Sequence, residues 1–152
     1  MEKMKVRRAE VGDLEQLSGL FDDYRVFYGK SSDREGAKTF LFERLSNEES
    51  VVFVTENTEN RLTGFVQLYP LFSSTRMSRL WLLNDLFVDL RYRGKGVATQ
   101  LIEAAKELCR RTEAAGLLLE TAKDNIPANA LYPRTGFNLD IEHNYYTWDT
   151  DR

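Results

Sequence analysis

Apolar residues recur at three- and four-residue spacing from Leu14 through Leu17, Leu20, Phe21 and Tyr24. That is the period of a helix with one buried stripe. Asp13, with Gln16 three residues later, forms a capping-box-like start for it, and Lys5–Arg8 ahead of it reads as a short strand. Ser31-Ser32-Asp33 is a loop and cap for a second helix, which carries Phe40, Leu41 and Leu45 on its inner face. The period then changes to two. Val51–Thr55 is a short β-branched run, Glu56–Asn60 is polar turn material, and Leu62–Leu71 resumes with alternation, so the pair predicts a hairpin. After the polar stretch Ser73–Ser78, Leu80–Val88 is apolar enough for a central strand covered on both faces. Asn84 and Asp85 interrupt it, and strict alternation sends their side chains to opposite faces.

Beyond a basic, glycine-containing turn, Val97, Leu101, Ile102, Ala105 and Leu108 predict another amphipathic helix, with Gly116 placed to end it. Leu117–Thr121 reads as a buried strand and Pro127–Arg134 as a short helix with Pro127 in its first turn. Closing strands are expected around Ile141 and Tyr145–Trp148. The order β-α-α-β-β-β-α-β-α-β-β describes an α+β or mixed α/β chain, a mixed sheet with flanking helices. No boundary divides it, so residues 1–152 are expected to form one domain.

Composition narrows the class. A chain of 152 residues, 42% hydrophobic, is long enough for one substantial core. Nine Phe, seven Tyr and two Trp exclude a mainly disordered chain. No apolar run approaches the ~20 residues of a membrane span, and the start MEKMKVRRAEVGD lacks the apolar stretch of a secretory signal. The expectation is a soluble, cytoplasmic protein with no membrane partner. Cys109 is the only cysteine and His143 the only histidine, so neither an internal disulfide nor a Cys/His metal cage can form. No metal is expected. A net charge of −3 offers no global attraction to nucleic acid.

The segment that carries chemistry is Arg-x-x-Gly-x-Gly-x-Ala, from Arg91 to Ala98. Glycines allow a tight turn whose successive N–H groups converge on one anion, and the following helix adds its N-terminal N–H groups and dipole. Arg91, Arg93 and Lys95 add cationic side chains, so the turn reads as a pyrophosphate cradle. A Walker loop would need Gly-x4-Gly-Lys-Ser/Thr, and a dinucleotide fingerprint would need a third glycine where Thr99 stands. Neither nucleotide motif is met.

The turn resembles the signature of the GNAT superfamily of acetyl-CoA-dependent N-acetyltransferases, Gln/Arg-x-x-Gly-x-Gly/Ala, matched by Arg91, Gly94 and Gly96. A second match follows: the family pattern Asn-x-x-Ala-x-x-Leu-Tyr-x-x-x-Gly-Phe is met by Asn125, Ala128, Leu131, Tyr132, Gly136 and Phe137. Pro133 is a departure, because a non-proline usually follows the tyrosine. The resemblance implies a central mixed, mostly antiparallel sheet of six to seven strands with about four flanking helices. It implies acetyl-CoA as cosubstrate, an amine acceptor and a homodimer.

Residue roles follow from the same resemblance. Leu86, Phe87 and Val88 would pair through their backbones with the pantetheine arm, in a gap where the fourth strand splays from the fifth. Arg91, Arg93, Gly94, Lys95, Gly96, Val97 and Ala98 would hold the pyrophosphate. Asn125 would bond the arm, or simply cap the helix, and Ala128 would leave room. Tyr132 matches the family's general acid, a phenol of pKa ~10 able to protonate a departing thiolate whose own pKa is ~8.5. The base that takes the amine's proton is Asp85, Glu120 or a water relay. Asp23, Tyr24 and Asn84 are candidate acceptor contacts, since carboxylates beside aromatics suit a cationic amine of polyamine or lysine-like type. A non-catalytic acyl-CoA sensor is the alternative.

Overall fold

The structure, a computed structural model, describes residues 4–151. The described chain falls into two compact units, one running to Glu120 and the other starting at Thr121.

In the first unit the elements are β1 (Lys5–Arg8), a one-turn 3-10 helix (Val11–Asp13), α1 (Leu14–Phe27), α2 (Arg34–Ser46), β2 (Val51–Glu56), β3 (Leu62–Ser73), β4 (Ser78–Val88), a second 3-10 turn (Leu90–Tyr92), α3 (Val97–Arg111) and β5 (Leu117–Leu118). The strands form one sheet in the order β1-β2-β3-β4-β5. The first four pair antiparallel, and β4 meets β5 in parallel. The second unit holds α4 (Ile126–Arg134).

The two periods read from the sequence place the core. Leu14, Leu17, Leu20 and Phe21 of α1, with Ala37 and Leu41 of α2, are buried with Val52, Val54, Leu62, Phe65 and Phe87 of the sheet. The other face belongs to α3, whose Val97, Leu101, Ile102 and Ala105 are buried and which packs on β2, β3 and β4. Trp81 faces that side and donates Nε1–H to Thr112 Oγ1 at 2.9 Å. The sheet is therefore covered on both faces, as the apolar run in β4 requires.

Local chemistry explains the element ends. Asp33 caps α2 by accepting from Gly36 N at 2.9 Å. The Asp13 carboxylate accepts from Glu10 N at 2.8 Å, but Gln16 does not close a capping box with it. Gln16 instead reaches the β2–β3 turn, donating to Asn60 O and accepting from Leu62 N. Gly116 does not end α3. The helix stops at Arg111, and Glu113 takes the left-handed conformation at φ 55° that a glycine was expected to supply. Its neighbours close the end, with Ala114 N bonding Cys109 O at 2.9 Å.

Three strand expectations need correction. Among the described residues the sheet has five strands rather than six to seven. β5 spans two residues rather than Leu117–Thr121. Residues 138–151 form no helix or strand, so the closing strands at Ile141 and Tyr145–Trp148 are absent among the described residues. Asp140 shows the reason, because its carboxylate collects Glu142 N, His143 N, His143 Nδ1 and Tyr145 Oη within 3.1 Å. Such local Asx-type bonding competes with a strand ladder for the same backbone.

The alternation expected across Asn84 and Asp85 also fails. Gln67 opposes Asp85 while Leu68 opposes Leu83, so Asn84 is an extra residue, a β-bulge in β4. The bulge breaks the two-residue period and lets Asn84 Nδ2 donate to Asp85 Oδ2 at 3.1 Å.

Two carboxylates tie this unit together. Arg7 of β1 forms a two-pronged pair with Asp13, at 2.7 and 2.8 Å, and also reaches Glu56 of β2. Asp22 of α1 accepts from Asp33 N and Ser32 Oγ, each at 2.7 Å, fixing the start of α2. The Arg7 bond holds Asp13 below the usual carboxylate range, and the Asp33 N–H does the same for Asp22, helped by Ser32 and Arg25. Depressed carboxylates stabilise the fold fully above their unfolded pKa of ~3.9 and lose that contribution as the pH falls below it and through their lower folded-state pKa. The urea midpoint is therefore expected to drop between neutral pH and about pH 3. That drop should shrink in Asp13→Asn and Asp22→Asn, and an unchanged drop in both would refute the assignment.

Candidate functional site

β4 leads straight into the glycine turn. After Val88, Asp89 caps the short turn Leu90–Tyr92 by accepting from Arg91 N at 3.0 Å. Gly94 and Gly96 both take positive φ, 76° and 78°, a conformation open to glycine at little cost. Gly96 is the N-cap of α3, and no side chain caps that end. The first N–H groups of a helix lack intrahelical acceptors, so this end offers donors and a positive dipole to an anion. The Gln/Arg-x-x-Gly-x-Gly/Ala pattern is in fact satisfied in two frames, by Arg91-Gly94-Gly96 and by Arg93-Gly96-Ala98. The second frame puts its glycine at the N-cap, with Val97 and Ala98 in the first turn.

The three basic side chains do not converge. Arg91 pairs with Asp89 at 2.9 Å, a bond that holds Asp89 below the usual carboxylate range. Arg93 turns back, donating Nε–H to Val88 O at 3.0 Å and lying 4.7 Å from the Phe27 ring centre and 5.3 Å from that of Phe87. Lys95 Nζ lies 5.7 Å from the Tyr92 ring. Tyr92 in turn accepts from Asn57 Nδ2 at 3.1 Å, anchoring the turn to the β2–β3 connection.

Among the described residues no strand pairs with the outer edge of β4 past Leu82, although Arg93 Nε–H occupies Val88 O there. Pairing with β5 covers only Trp81 and Leu82. Asp89 N donates to Thr63 O at 2.8 Å. In an antiparallel ladder this phase sends the N–H and C=O of Phe87 toward Phe65 on β3. The same phase sends those of Leu86 and Val88 away from β3, to the edge where β5 has stopped. An extended amide-bearing chain fits such an edge by strand addition. Phe87 contributes its ring instead, 5.8 Å from Tyr24 and 6.5 Å from Phe65.

On the α1 face, Asp85 sits at the bulge, 7% exposed, accepting from Gln67 Nε2 at 2.8 Å and from Asn84 Nδ2. Tyr69 is near enough to sense it: burial first, and then the Asp85 charge, push the Tyr69 phenol up to about 12. Tyr24 stands among Phe21, Phe65, Phe87 and Tyr28. Asp23, one residue earlier, points elsewhere. It lines a cleft of about 320 Å³ with Gln16, Gly19, Arg34, Arg61 and Asp89. Glu120 is exposed, two residues past the end of β5.

In the second unit, Asn125 caps α4, its side chain accepting from Ala128 N at 3.2 Å. Tyr132 lies in the last turn, its ring edge-on to Phe137 at 5.6 Å. Pro133 does not break α4, which continues to Arg134. A proline in the final turn removes one N–H but disturbs only bonds the helix is about to end. Cys109 is a buried thiol pushed up by that burial, against a smaller downward pull from the Arg110 charge.

Periodicity did not single out Ser50, Gln67, Tyr69 or Phe27. One signal was available for Gln67, a lone amide inside the apolar alternation of Leu62–Leu71.

Comparison with known proteins agrees with this geometry. Residues 17–137 match the acetyltransferase (GNAT) family model. The chain is 41% identical over 143 residues to the Bacillus subtilis protein named uncharacterized N-acetyltransferase YhfO, covering 94% of this chain and 95% of that one. It is 32% identical over 136 residues to a Haemophilus influenzae protein named a probable acetyltransferase, covering 90% and 91%. A crystal structure of a probable acetyltransferase superposes with a TM-score of 0.93 at 39% identity, over 98% of this chain and 99% of that one. The chain therefore belongs to the GNAT family of acetyltransferases.

Proposed function

We propose that this protein moves an acetyl group from acetyl-CoA to a primary amine, a small amine, polyamine or lysine-like acceptor, by direct attack in a ternary complex. The observation that carries the reading is the stretch of β4 past its pairing with β5, leading through the glycine turn to the N-terminus of α3. The pantetheine arm would add along that stretch, and the pyrophosphate would take the helix N–H groups with Gly94, Lys95, Gly96, Val97 and Ala98 around it. Asp85, beside Tyr69 on the face that carries Tyr24 and Phe87, supports a cationic acceptor through charge and cation–π attraction.

In the reaction, the neutral amine nitrogen attacks the thioester carbon while Asp85 takes its proton. An N–H of the β4 edge stabilises the oxyanion. The C–S bond then breaks and Tyr132 protonates the leaving thiolate. The protein would work as a single GNAT domain in the cytoplasm, as a homodimer, without a metal.

The test is thiol release from acetyl-CoA with spermidine, lysine, an aminoglycoside and a histone-tail peptide as acceptors. Saturable, amine-dependent release that is highest with spermidine or lysine is expected. Saturable acetyl-CoA binding with no release for any amine would overturn the enzymatic reading, and release confined to the aminoglycoside would overturn the acceptor class.

A further inference from the structure

The Asp85 carboxylate is held asymmetrically. Both of its hydrogen bonds, from Gln67 Nε2 at 2.8 Å and Asn84 Nδ2 at 3.1 Å, end on Oδ2. Oδ1 receives no bond from the described residues, yet no buried side-chain oxygen is left unsatisfied. Oδ1 is therefore the oxygen that reaches the small exposed part of the residue.

Behind Asp85 the amide of Gln67 is fixed in turn. Its Oε1 accepts from Ser50 Oγ at 2.8 Å. Gln67 is 0% exposed and Ser50 4%, so neither can turn to water. The order of donors allows one arrangement. A carboxylate accepts only, so Gln67 must aim its NH2 at Asp85, which leaves its carbonyl for the Ser50 hydroxyl. Ser50 lies directly before β2, Gln67 on β3 and Asp85 on β4, so the chain of bonds crosses three strands under α1 and α2.

We infer that Gln67, oriented by Ser50, is a positioning residue that locks Asp85 Oδ2 and thereby presents Oδ1 to the acceptor amine. The inference rests on the acetyl-transfer reading and goes beyond it, because it names two residues that touch no substrate and the oxygen that takes the proton. Without the lock, the carboxylate can rotate and share both oxygens with its neighbours, and small misplacements of a reacting group are costly.

The experiment is a kinetic double-mutant cycle on the full chain, with the most active amine of the panel. Gln67→Met keeps the side-chain volume and removes the N–H. It is expected to lower kcat by about 10²-fold, with the KM for acetyl-CoA and the melting temperature little changed. Added to Asp85→Asn, it should lower the rate hardly at all further, since Gln67 acts only through Asp85. Ser50→Ala should lose part of the rate and Ser50→Thr, which keeps the hydroxyl, should retain it; this pair decides the matter if Gln67→Met does not fold. A merely structural Gln67 would give additive losses, and wild-type kcat in Gln67→Met, or equal rates in Ser50→Ala and Ser50→Thr, would also overturn the inference. A wild-type chain that acetylates none of the amines removes the transfer reading and this inference together. An active wild type with an additive cycle removes only this one.

Discussion

Tyr132→Phe is expected to reduce amine-dependent thiol release by about 10²- to 10⁴-fold, the range of a general-acid contribution, while acetyl-CoA binding stays within about twofold. The substitution removes one oxygen. It keeps the ring that sits edge-on to Phe137 at 5.6 Å, and the backbone bonds Thr135 N and Phe137 N make to Tyr132 O do not depend on the hydroxyl. A tyrosine that serves through its ring would keep its turnover on this change, and a proton donor would lose nearly everything. Steady-state thiol release and calorimetric binding of acetyl-CoA separate the cases. Loss of binding in place of turnover would make Tyr132 a ligand-contact residue, and an unmoved rate would hand the leaving-group proton to water.

The second large effect concerns stability. Phe65→Ala is expected to cost about 3–5 kcal/mol, the usual range for emptying a buried aromatic site. Phe65 is 0% exposed, on β3 beside Phe87 of the strand that carries Asp85 and against Phe21 and Tyr24 of α1. Its ring centre is 5.8 Å from Phe21, 5.6 Å from Tyr24 and 6.5 Å from Phe87. The cavity would lie directly behind the aromatic wall of the proposed acceptor site, so turnover should fall along with the urea midpoint. A midpoint shift equivalent to less than about 1 kcal/mol would mean that the helices collapse onto the gap, contrary to a packed core.

Much of the scaffold was legible because it rests on two periods. Leu14, Leu17, Leu20 and Phe21 gave α1 its buried stripe, and the apolar run of β4 gave a strand covered on both sides. The glycine turn was legible because positive φ at Gly94 and Gly96 leaves a mark in residue type. What stayed hidden involved partners far apart in the chain. Gln16 looks like a local cap and instead holds Leu62, at a separation no periodicity reports. Asn84 and Asp85 looked like alternating neighbours, because a bulge is set by how β3 pairs with β4 and not by either strand alone. Ser50 leaves no mark in the sequence and Gln67 only that of a lone amide, and neither shows its line with Asp85 until β2, β3 and β4 pair. Asp140 erased the last strands by a different route, through a local cluster invisible to alternation.

The bulge has a consequence at the level of the gene. Without Asn84, Leu83 and Asp85 would still oppose Leu68 and Gln67, and β3 and β4 would zip without a fault. A straighter β4 could then go on recruiting β5 past Leu82, along the edge at Leu86 and Val88 that β5 now leaves unpaired. One codon thus separates two sheets of nearly identical sequence, one paired without interruption from Gly64 to Ser73 and one interrupted at Asn84.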